Sequence, residues 1–383
     1  MITAEHTFFP QSSYPIDRIG SPEQLLFFDI ETTGFSGASS NLYLIGAASV
    51  RDGAWHLIQW FADRPGSEEE ILQAFFSYLE PFGALVHFNG DTFDIPYLKK
   101  RCQILGLPCP LDRLKSVDIY KRIRPMKKLL GLDSLKQKAV EKFLGISRED
   151  VYTGGQLIQV YEDYLETRDE ERLRLLLLHN EDDLKGMPKL LPILAYPDFL
   201  SGPFSPADCS LREETDLFGQ SEPVLEAVCR GPVSLPRPFS WEHSCLPGAQ
   251  FEAEGGELRL SIPLFRGELK YFYPNYRDYY YLIYEDTAIH KSVGEYVDRS
   301  ARKKATAATC YTKKEGLFLP LPDSSCGEPL FRPDYRSRTF YMEIPEELLT
   351  SPDFPRNLVR WPSFSSYLRD LTASSLGKAV FSP

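Results

Sequence analysis

Apolar residues in the first half of the chain occur in short runs separated by polar turns, and one such run is Leu25–Phe28. It leads directly into Asp29, Ile30 and Glu31, and a Thr-Thr-Gly break follows. A continuous apolar run that ends at a turn signal is typical of a strand buried on both faces. Since side chains alternate along a strand, Asp29 and Glu31 share one face. The pattern therefore predicts a core strand that ends in two neighbouring carboxylates.

The same patterns predict further strands and helices up to about residue 190. Predicted strands follow at 41–50, 55–61, 84–88 and 114–119, with an Arg-Asp-Gly turn between the first two. Predicted helices lie at 67–79, 92–105, 133–144 and 156–187. An antiparallel meander followed by strand–helix–strand units indicates an α/β fold in which helices cover the faces of a mixed sheet.

The character of the sequence changes near residue 200. The segment 196–213 is rich in Pro, Ser, Gly and Asp, which is typical of a domain boundary. After it the patterns predict short strands, with a hairpin formed by 257–263 and 268–273 and a helix at 287–302. We therefore predict a first domain at residues 1–196, a linker at 197–213 and an α+β accessory domain of unknown role at 214–383.

Composition and charge limit the classes of function. The formal net charge is -11, so any binding of nucleic acid must come from local basic patches or bridging metal ions. The seven Cys residues are scattered without a Cys-x-x-Cys pair, which argues against a disulfide framework or zinc ribbon and for a reducing compartment. Since we find neither a signal peptide nor an apolar run of membrane-spanning length, we predict a cytoplasmic protein with no membrane partner.

Two further stretches place carboxylates where they could meet the first pair. Asn89–Asp94 directly follows a predicted strand and opens a helix, and ligands collect at such positions in open α/β sheets. Within the helical pattern at 156–187, residues 169–186 are predicted as a single amphipathic helix, in which His179 and Asp183 are four residues apart and share the face that points toward the sheet. Asp182 is an alternative to Asp183, but it lies about 100° around the helix. The four carboxylates expected to gather are Asp29, Glu31, Asp94 and Asp183.

A cluster of carboxylates of this kind needs cations. Like charges at the end of a buried strand repel each other, and hard divalent ions prefer oxygen ligands. Four acids and one imidazole match a two-metal phosphodiesterase, in which two ions stabilise the attacking and leaving oxygens. His179 suits a general base because the pKa of an imidazole lies near neutral pH. A structural histidine near the end of a helix is the simpler alternative.

The three stretches also resemble the motifs of a known family. Phe28–Gly34 resembles the first exonuclease motif of the DEDD superfamily, Asn89–Asp94 its second and His179–Asp183 its third, and the surrounding chain is similar to the YprB-type ribonuclease H-like domain. The resemblance implies a mixed five-stranded sheet flanked by helices, two Mg²⁺ or Mn²⁺ ions, and hydrolysis of phosphodiester bonds, usually from a 3′ end. It implies that Asp29, Glu31, Asp94 and Asp183 are metal ligands and that His179 is the general base. The spacing of His179 and Asp183 resembles the tyrosine class of the superfamily, with His in the Tyr position.

Basic residues are concentrated just after the second motif. Ten of them lie between residues 99 and 128, against two acids. They can form a solvated face or a phosphate track into the site, and their local excess in an acidic chain favours the track. The predicted substrate contacts are Thr32, Asn89, Lys99 and Arg101, with bracing of the strand–helix turn as the alternative role of Asn89. The predicted partner is single-stranded or end-frayed nucleic acid, and the oligomeric state is left open.

The C-terminal half has no motif of comparable specificity. Residues 271–281 are dense in Tyr, and Arg302–Lys304 and Lys313–Lys314 follow. Aromatics interleaved with cations can stack on single-stranded nucleic acid, while half-buried Tyr residues of a β domain are the slightly favoured alternative. For the whole chain we predict a metal-dependent 3′–5′ exonuclease. The alternatives are a structure-specific endonuclease and a catalytically silent nucleic-acid-binding or scaffold protein with the same fold.

Overall fold

The structure is a computed structural model that describes residues 1–147, 154–215, 219, 221–322, 329–351, 353–354 and 356–375. The chain forms two compact units, Met1–Pro197 and Asp198–Pro383. The division falls one residue after the predicted end of the first domain. Of the described helices, none is long and apolar enough to cross a membrane.

The first unit is built on a mixed sheet in the order β1-β4-β3-β2-β5-β6. Its strands are β1 (Ile2–Phe8), β2 (Leu25–Thr32), β3 (Leu42–Arg51), β4 (Ala54–Phe61), β5 (Ala84–His87) and β6 (Lys115–Asp118). Its helices are α1 (Glu68–Tyr78), α2 (Asp94–Leu105), α3 (Ile119–Ile123), α4 (Gln137–Leu144), α5 (Gly154–Thr167), α6 (Glu170–Leu190) and α7 (Ala195–Ser201), with 3-10 helices at Ile16–Arg18, Pro22–Gln24, Pro110–Arg113, Arg124–Met126 and Leu191–Leu194. The neighbouring strands β1 and β4, β4 and β3, and β3 and β2 are antiparallel. The neighbours β2 and β5, and β5 and β6, are parallel.

The predicted α/β fold with a mixed sheet flanked by helices is confirmed, but the sheet has six strands where five were predicted. The additional strand is β1, which pairs with β4 from Ile2 opposite Phe61 to Phe8 opposite Trp55. Most side chains of β1 are exposed. Because an edge strand of this kind is held by backbone hydrogen bonds, it needs no apolar run that would reveal it in the sequence.

Strand β2 lies inside the sheet, and helices cover both of its faces. Leu26, Phe27 and Phe28 are fully buried. On one face Phe28 packs against Phe75 of α1, with ring centroids 5.8 Å apart. On the other face α6 packs across β2, β3 and β4. Burial on both sides explains why the strand reads as a continuous apolar run.

A glycine lets α6 come down onto the sheet. Asp29 of β2, Gly46 of β3 and Gln59 of β4 lie opposite one another in a row across three strands. A Cβ atom at Gly46 would overlap the side chains of Asn180 and Leu184 of α6. Position 46 must therefore lack a side chain for α6 to reach the strand that carries Asp29.

We expect Gly46→Ala to lower the free energy of unfolding by about 1–3 kcal/mol, because the added methyl group overpacks the α6–sheet interface. Gly155→Ala is the matched control, since Gly155 in α5 has no atoms near the position of an added Cβ. Urea unfolding of both variants measures the difference. A Gly46→Ala protein as stable as the control would contradict this packing account.

The second unit consists of antiparallel sheets with short helices, so the predicted α+β class is confirmed. Its strands are β7 (Ser205–Thr215), β8 (Ser221–Arg230), β9 (Phe239–Glu242), β10 (Gln250–Glu254), β11 (Glu257–Pro263), β12 (Phe265–Phe272), β13 (Tyr279–Leu282), β14 (Thr287–His290), β15 (Arg302–Lys304), β16 (Tyr311–Leu321), β17 (Phe331–Arg332) and β18 (Phe340–Glu343). Its helices are α8 (Lys291–Gly294), α9 (Glu346–Leu349), α10 (Arg356–Arg360) and α11 (Pro362–Ser375), with a 3-10 helix at Tyr276–Asp278. The described sheets are β7-β8-β11-β10-β9, a closed barrel of β12-β16-β18-β17, and β14-β13-β15.

Several sequence expectations for this half differ from the structure. The segment 197–213, predicted as a linker, holds the end of α7 and most of β7, which pairs along β8. The predicted hairpin of 257–263 with 268–273 is wrong, because β11 pairs with β8 and β10, whereas β12 pairs with β16 and β17. The helix predicted at 287–302 is also wrong, since two strands and the one-turn helix α8 occupy this range. Local patterns do not show which distant strand a segment will pair with.

Candidate active site

The first pair of acids lies at the end of β2, between β3 and β5 in the sheet. Glu31 is buried and Asp29 is half-buried. Strands β2 and β5 are parallel, so their C-terminal ends meet at one edge of the sheet. Residues that follow these two strand ends are brought together there.

Asp94 is the first residue of α2 and is buried directly after the turn that follows β5. Two buried side chains accept hydrogen bonds from the backbone of this turn. The backbone N–H of Asn89 donates to Asp118 Oδ1 at 3.0 Å, and that of Gly90 donates to His87 Nδ1 at 3.0 Å. Asn89 itself adopts a left-handed conformation with φ 69°. His87 and Asp118 therefore fix the turn that positions Asp94.

Helix α6 supplies the third group of residues. His179 Nε2 lies 3.6 Å from Glu31 Oε1 and 3.6 Å from Asp183 Oδ2. These three side chains offer ligand atoms that all lie within 4.8 Å of one another, which is a spacing that one metal ion could bridge. The structure thus brings Asp183 together with Glu31 and His179, and this group does not include Asp182.

The carboxylates of the site repel one another. Burial raises the pKa of Asp29 well above its usual value, and the charges of Asp183, Asp94 and Glu31 raise it further. Burial likewise raises the pKa of Asp94 to about 7, with contributions from Asp118 and Asp183. A set of acids that oppose each other's ionisation is what a cation site requires, because a bound cation removes the repulsion.

Two buried amides, which the sequence reasoning missed, hold Asp29. Asn180 Nδ2 donates to Asp29 Oδ2 at 2.9 Å, and Asn180 Oδ1 accepts from Gln59 Nε2 at 2.9 Å. Gln59 Nε2 also donates to the carbonyl oxygen of Leu177 at 2.9 Å. Both amides are fully buried, and the Asn180 bond lowers the pKa of Asp29 against the other effects. A Gln in the middle of an apolar strand, and an Asn beside His179, were the available signals.

The sequence reasoning also missed an aromatic contact between the residue after the first motif, Phe35, and Phe93 of the second motif. Phe35 follows Gly34 and is 94% exposed. Its ring centroid is 6.4 Å from that of Phe93, the residue before Asp94. Exposed aromatic rings can stack on nucleic-acid bases, and a Phe directly after the first motif was the signal for this contact.

The predicted substrate contacts Thr32 and Asn89 make local hydrogen bonds. Thr32 Oγ1 donates to the carbonyl oxygen of Gly34 at 2.8 Å, and Asn89 Oδ1 accepts from Thr92 Oγ1 at 2.7 Å. Both side chains shape the turns in which they lie. Their contact with a substrate stays a prediction.

The predicted contacts Lys99 and Arg101 are engaged elsewhere. Lys99 Nζ lies 2.5 Å from Asp112 Oδ1 in an exposed ion pair. Arg101 is 7% exposed, and its Nε and Nη2 donate to the two carboxylate oxygens of Glu68, each at 2.6 Å. Its Nη1 donates to the carbonyl oxygen of Gly37 at 3.0 Å. Arg101 is thus buried in an ion pair with Glu68, and its contact with a substrate stays a prediction.

The tyrosine-rich stretch of the second unit stacks largely on itself. The rings of Tyr273 and Tyr279 are stacked with centroids 4.7 Å apart. Arg302 lies 4.5 Å from the ring centroid of Tyr280. Because these tyrosine rings contact other side chains of the second unit, they support the slightly favoured interpretation that the tyrosines are half-buried residues of a β domain.

Comparisons with known proteins agree with the ribonuclease H-like fold. Residues 26–195 match the family model described as the RNase_H superfamily. This match spans less than half of the chain. The predicted resemblance to a ribonuclease H-like domain is confirmed for these residues, and we call them the RNase H domain.

The relatives found match only part of their own length. The chain is 31% identical over 169 residues to the uncharacterized protein YprB of Bacillus subtilis (strain 168), which is 43% of this chain and 40% of that protein. It is 32% identical over 114 residues to a DNA polymerase of Pyrococcus glycovorans, which is 27% of this chain and 14% of the polymerase. The solved structure of the family B DNA polymerase from Pyrobaculum calidifontis covers 47% of this chain, at 19% identity and a TM-score of 0.39, and 25% of the polymerase is matched. A likeness of this last size carries no argument.

The repulsion in the RNase H domain predicts a stability that depends on pH. Because folding raises the pKa of Asp94 from 3.8 to about 7, the metal-free wild type loses stability as pH rises through this window. Asp94→Asn removes the charge, so we expect it to raise the melting temperature in EDTA by several degrees at about pH 8 and to have little effect at about pH 4.

Thermal unfolding in EDTA at a series of pH values measures this effect. Asp133→Asn, at an exposed position, is the control and should change little at any pH. A melting temperature of Asp94→Asn below that of the wild type at about pH 8 would contradict the proposed repulsion.

Proposed function

We propose that the chain is a metal-dependent nuclease that hydrolyses phosphodiester bonds of nucleic acid, as a 3′–5′ exonuclease. The observation that carries the proposal is the convergence of four carboxylates and one imidazole from β2, α2 and α6. The match to the RNase_H superfamily model and the likeness to DNA polymerases support nucleic acid as the substrate class. The 3′–5′ polarity rests on the resemblance of the motifs to the DEDD superfamily.

The side chains of the site fit two divalent ions such as Mg²⁺ or Mn²⁺. The donors are carboxylate oxygens, which suit these cations, and the acids repel each other without them. We assign the ion ligands to Asp29, Glu31, Asp94 and Asp183. When bound, two such ions stabilise the attacking and leaving oxygens of the displacement.

The protein's own groups then have distinct tasks. His179 is the proposed general base, which takes the proton of the attacking water at Nε2, and Asn180 orients the carboxylate of Asp29. The exposed ring of Phe35 is placed to stack on a base of a single-stranded or end-frayed substrate. A cytoplasmic location stays a prediction from the scattered cysteines.

We expect the full chain with Mn²⁺ or Mg²⁺ to shorten end-labelled DNA or RNA progressively from the 3′ end. Asp29→Ala should abolish cleavage because a metal ligand is removed. Gel analysis of 3′-blocked and 3′-free substrates with 5′ labels measures both rate and polarity.

The controls separate the alternatives. His179→Ala should cut the rate by about 10²–10⁴ if it removes the general base. Internal fragments that form equally from 3′-blocked substrate would indicate an endonuclease. Binding without metal-dependent cleavage of any DNA or RNA substrate would indicate a silent binding protein and would overturn the proposal.

A further inference from the structure

A segment of the RNase H domain carries a positive charge that the site described above does not use. Residues 119–144 contain eight basic and two acidic residues, in a chain whose net charge is -11. The segment comprises α3, the 3-10 helix Arg124–Met126 and α4. We call it the basic flank.

The basic flank is tied to the candidate site at both of its ends. Asp118, which raises the pKa of Asp94, also caps α3 by accepting a hydrogen bond from the backbone N–H of Lys121 at 3.2 Å. In α4, Gln137 Nε2 donates to the carbonyl oxygen of Asp183 at 3.0 Å. The flank therefore begins beside one predicted metal ligand and ends against another.

The packing of its helices agrees with this placement. Helix α4 packs against α6, which carries His179 and Asp183. Both α3 and α4 also pack against the 3-10 helix Leu191–Leu194 that follows α6. The basic flank therefore packs beside the helix that carries His179 and Asp183.

Most of the cations on the flank are exposed, and five of them have no ion-pair partner among the residues that the structure describes. Arg124, Lys127, Lys128, Lys136 and Lys142 are exposed, and within the described part of the chain they form no ion pair. This distinguishes them from Lys99 and Arg101, whose charges are paired with Asp112 and Glu68. Unpaired cations attract a polyanion more strongly than paired ones, because no internal bond must be broken.

We propose that the basic flank binds the phosphate backbone of the nucleic-acid strand whose scissile bond lies at the carboxylates, an inference that rests on the proposed nuclease function. A row of cations that begins and ends at a carboxylate site fits a ligand that is negatively charged along its length and reaches that site. The contacts are to phosphates, so they hold the strand without selecting its bases. The simpler alternative is a solvated surface with no ligand.

The test is the binding of fluorescein-labelled oligo(dT) and oligo(U) to the full chain, followed by fluorescence anisotropy at several salt concentrations in EDTA. EDTA prevents the proposed metal-dependent cleavage, so a failure of binding and a failure of catalysis are measured separately. The variant is Lys127→Glu/Lys128→Glu. Its matched control is Arg299→Glu/Lys304→Glu, at exposed positions of the second unit, which changes the net charge equally.

We expect the flank variant to bind both probes at least severalfold more weakly than the wild type and the control. The slope of log K against log salt should fall in magnitude by about 0.7 for each phosphate of a single strand that the variant no longer neutralises. Lys127→Gln/Lys128→Gln, which adds no negative charge, should reduce the slope by the same amount. Circular dichroism checks that each variant is folded.

Three results would overturn the proposal. They are a wild type that binds neither probe, a flank variant with wild-type affinity and salt slope, and equally weakened binding in the flank variant and in the control. In each case the metal-dependent cleavage assay still decides the nuclease function by itself.

Discussion

Buried carboxylates that lie side by side repel each other, and this repulsion is the constraint on which the site depends. Asp29 is surrounded by the charges of Asp183, Asp94 and Glu31, and all of them oppose its ionisation. A protein that only needed a stable core would gain by replacing such acids with apolar residues. The acids are therefore best explained by a cation that binds between them. In the absence of the cation, contacts within the fold hold the four acids close together.

The structure holds the acids by means of neutral hydrogen bonds and close packing. Gly46 allows α6 to approach the sheet, and the approach lets Asn180 reach Asp29. Gln59 in turn fixes Asn180, so that a chain of amides runs from β4 through α6 to the end of β2. On the opposite side, Asp118 holds the turn before Asp94. The amides position Asp29 without adding charge, whereas Asp118 holds the turn before Asp94 and also adds to the repulsion that raises the pKa of Asp94.

The sequence predicted those parts of the fold and site that have a local signature. The acids at the end of β2 follow an apolar run, and the four-residue spacing of His179 and Asp183 is a property of one helix. Contacts between residues that are far apart in the sequence were missed, because no local pattern shows which of these residues will lie together in the fold. Gln59 and Asn180 are 121 residues apart in the chain, and Arg101 is 33 residues from Glu68. Strand β1 was missed for a related reason, since its pairing with β4 uses backbone groups that every sequence has.

The central claim is that the four carboxylates form a cage for divalent cations, and calorimetric titration of Mn²⁺ tests it most directly. The account predicts that the wild type binds two ions per chain and that Asp183→Asn binds fewer or binds them far more weakly. His179→Ala should keep the wild-type stoichiometry, because His179 is assigned as a base. A wild type that takes up no Mn²⁺, or an Asp183→Asn protein that binds as the wild type does, would contradict the account.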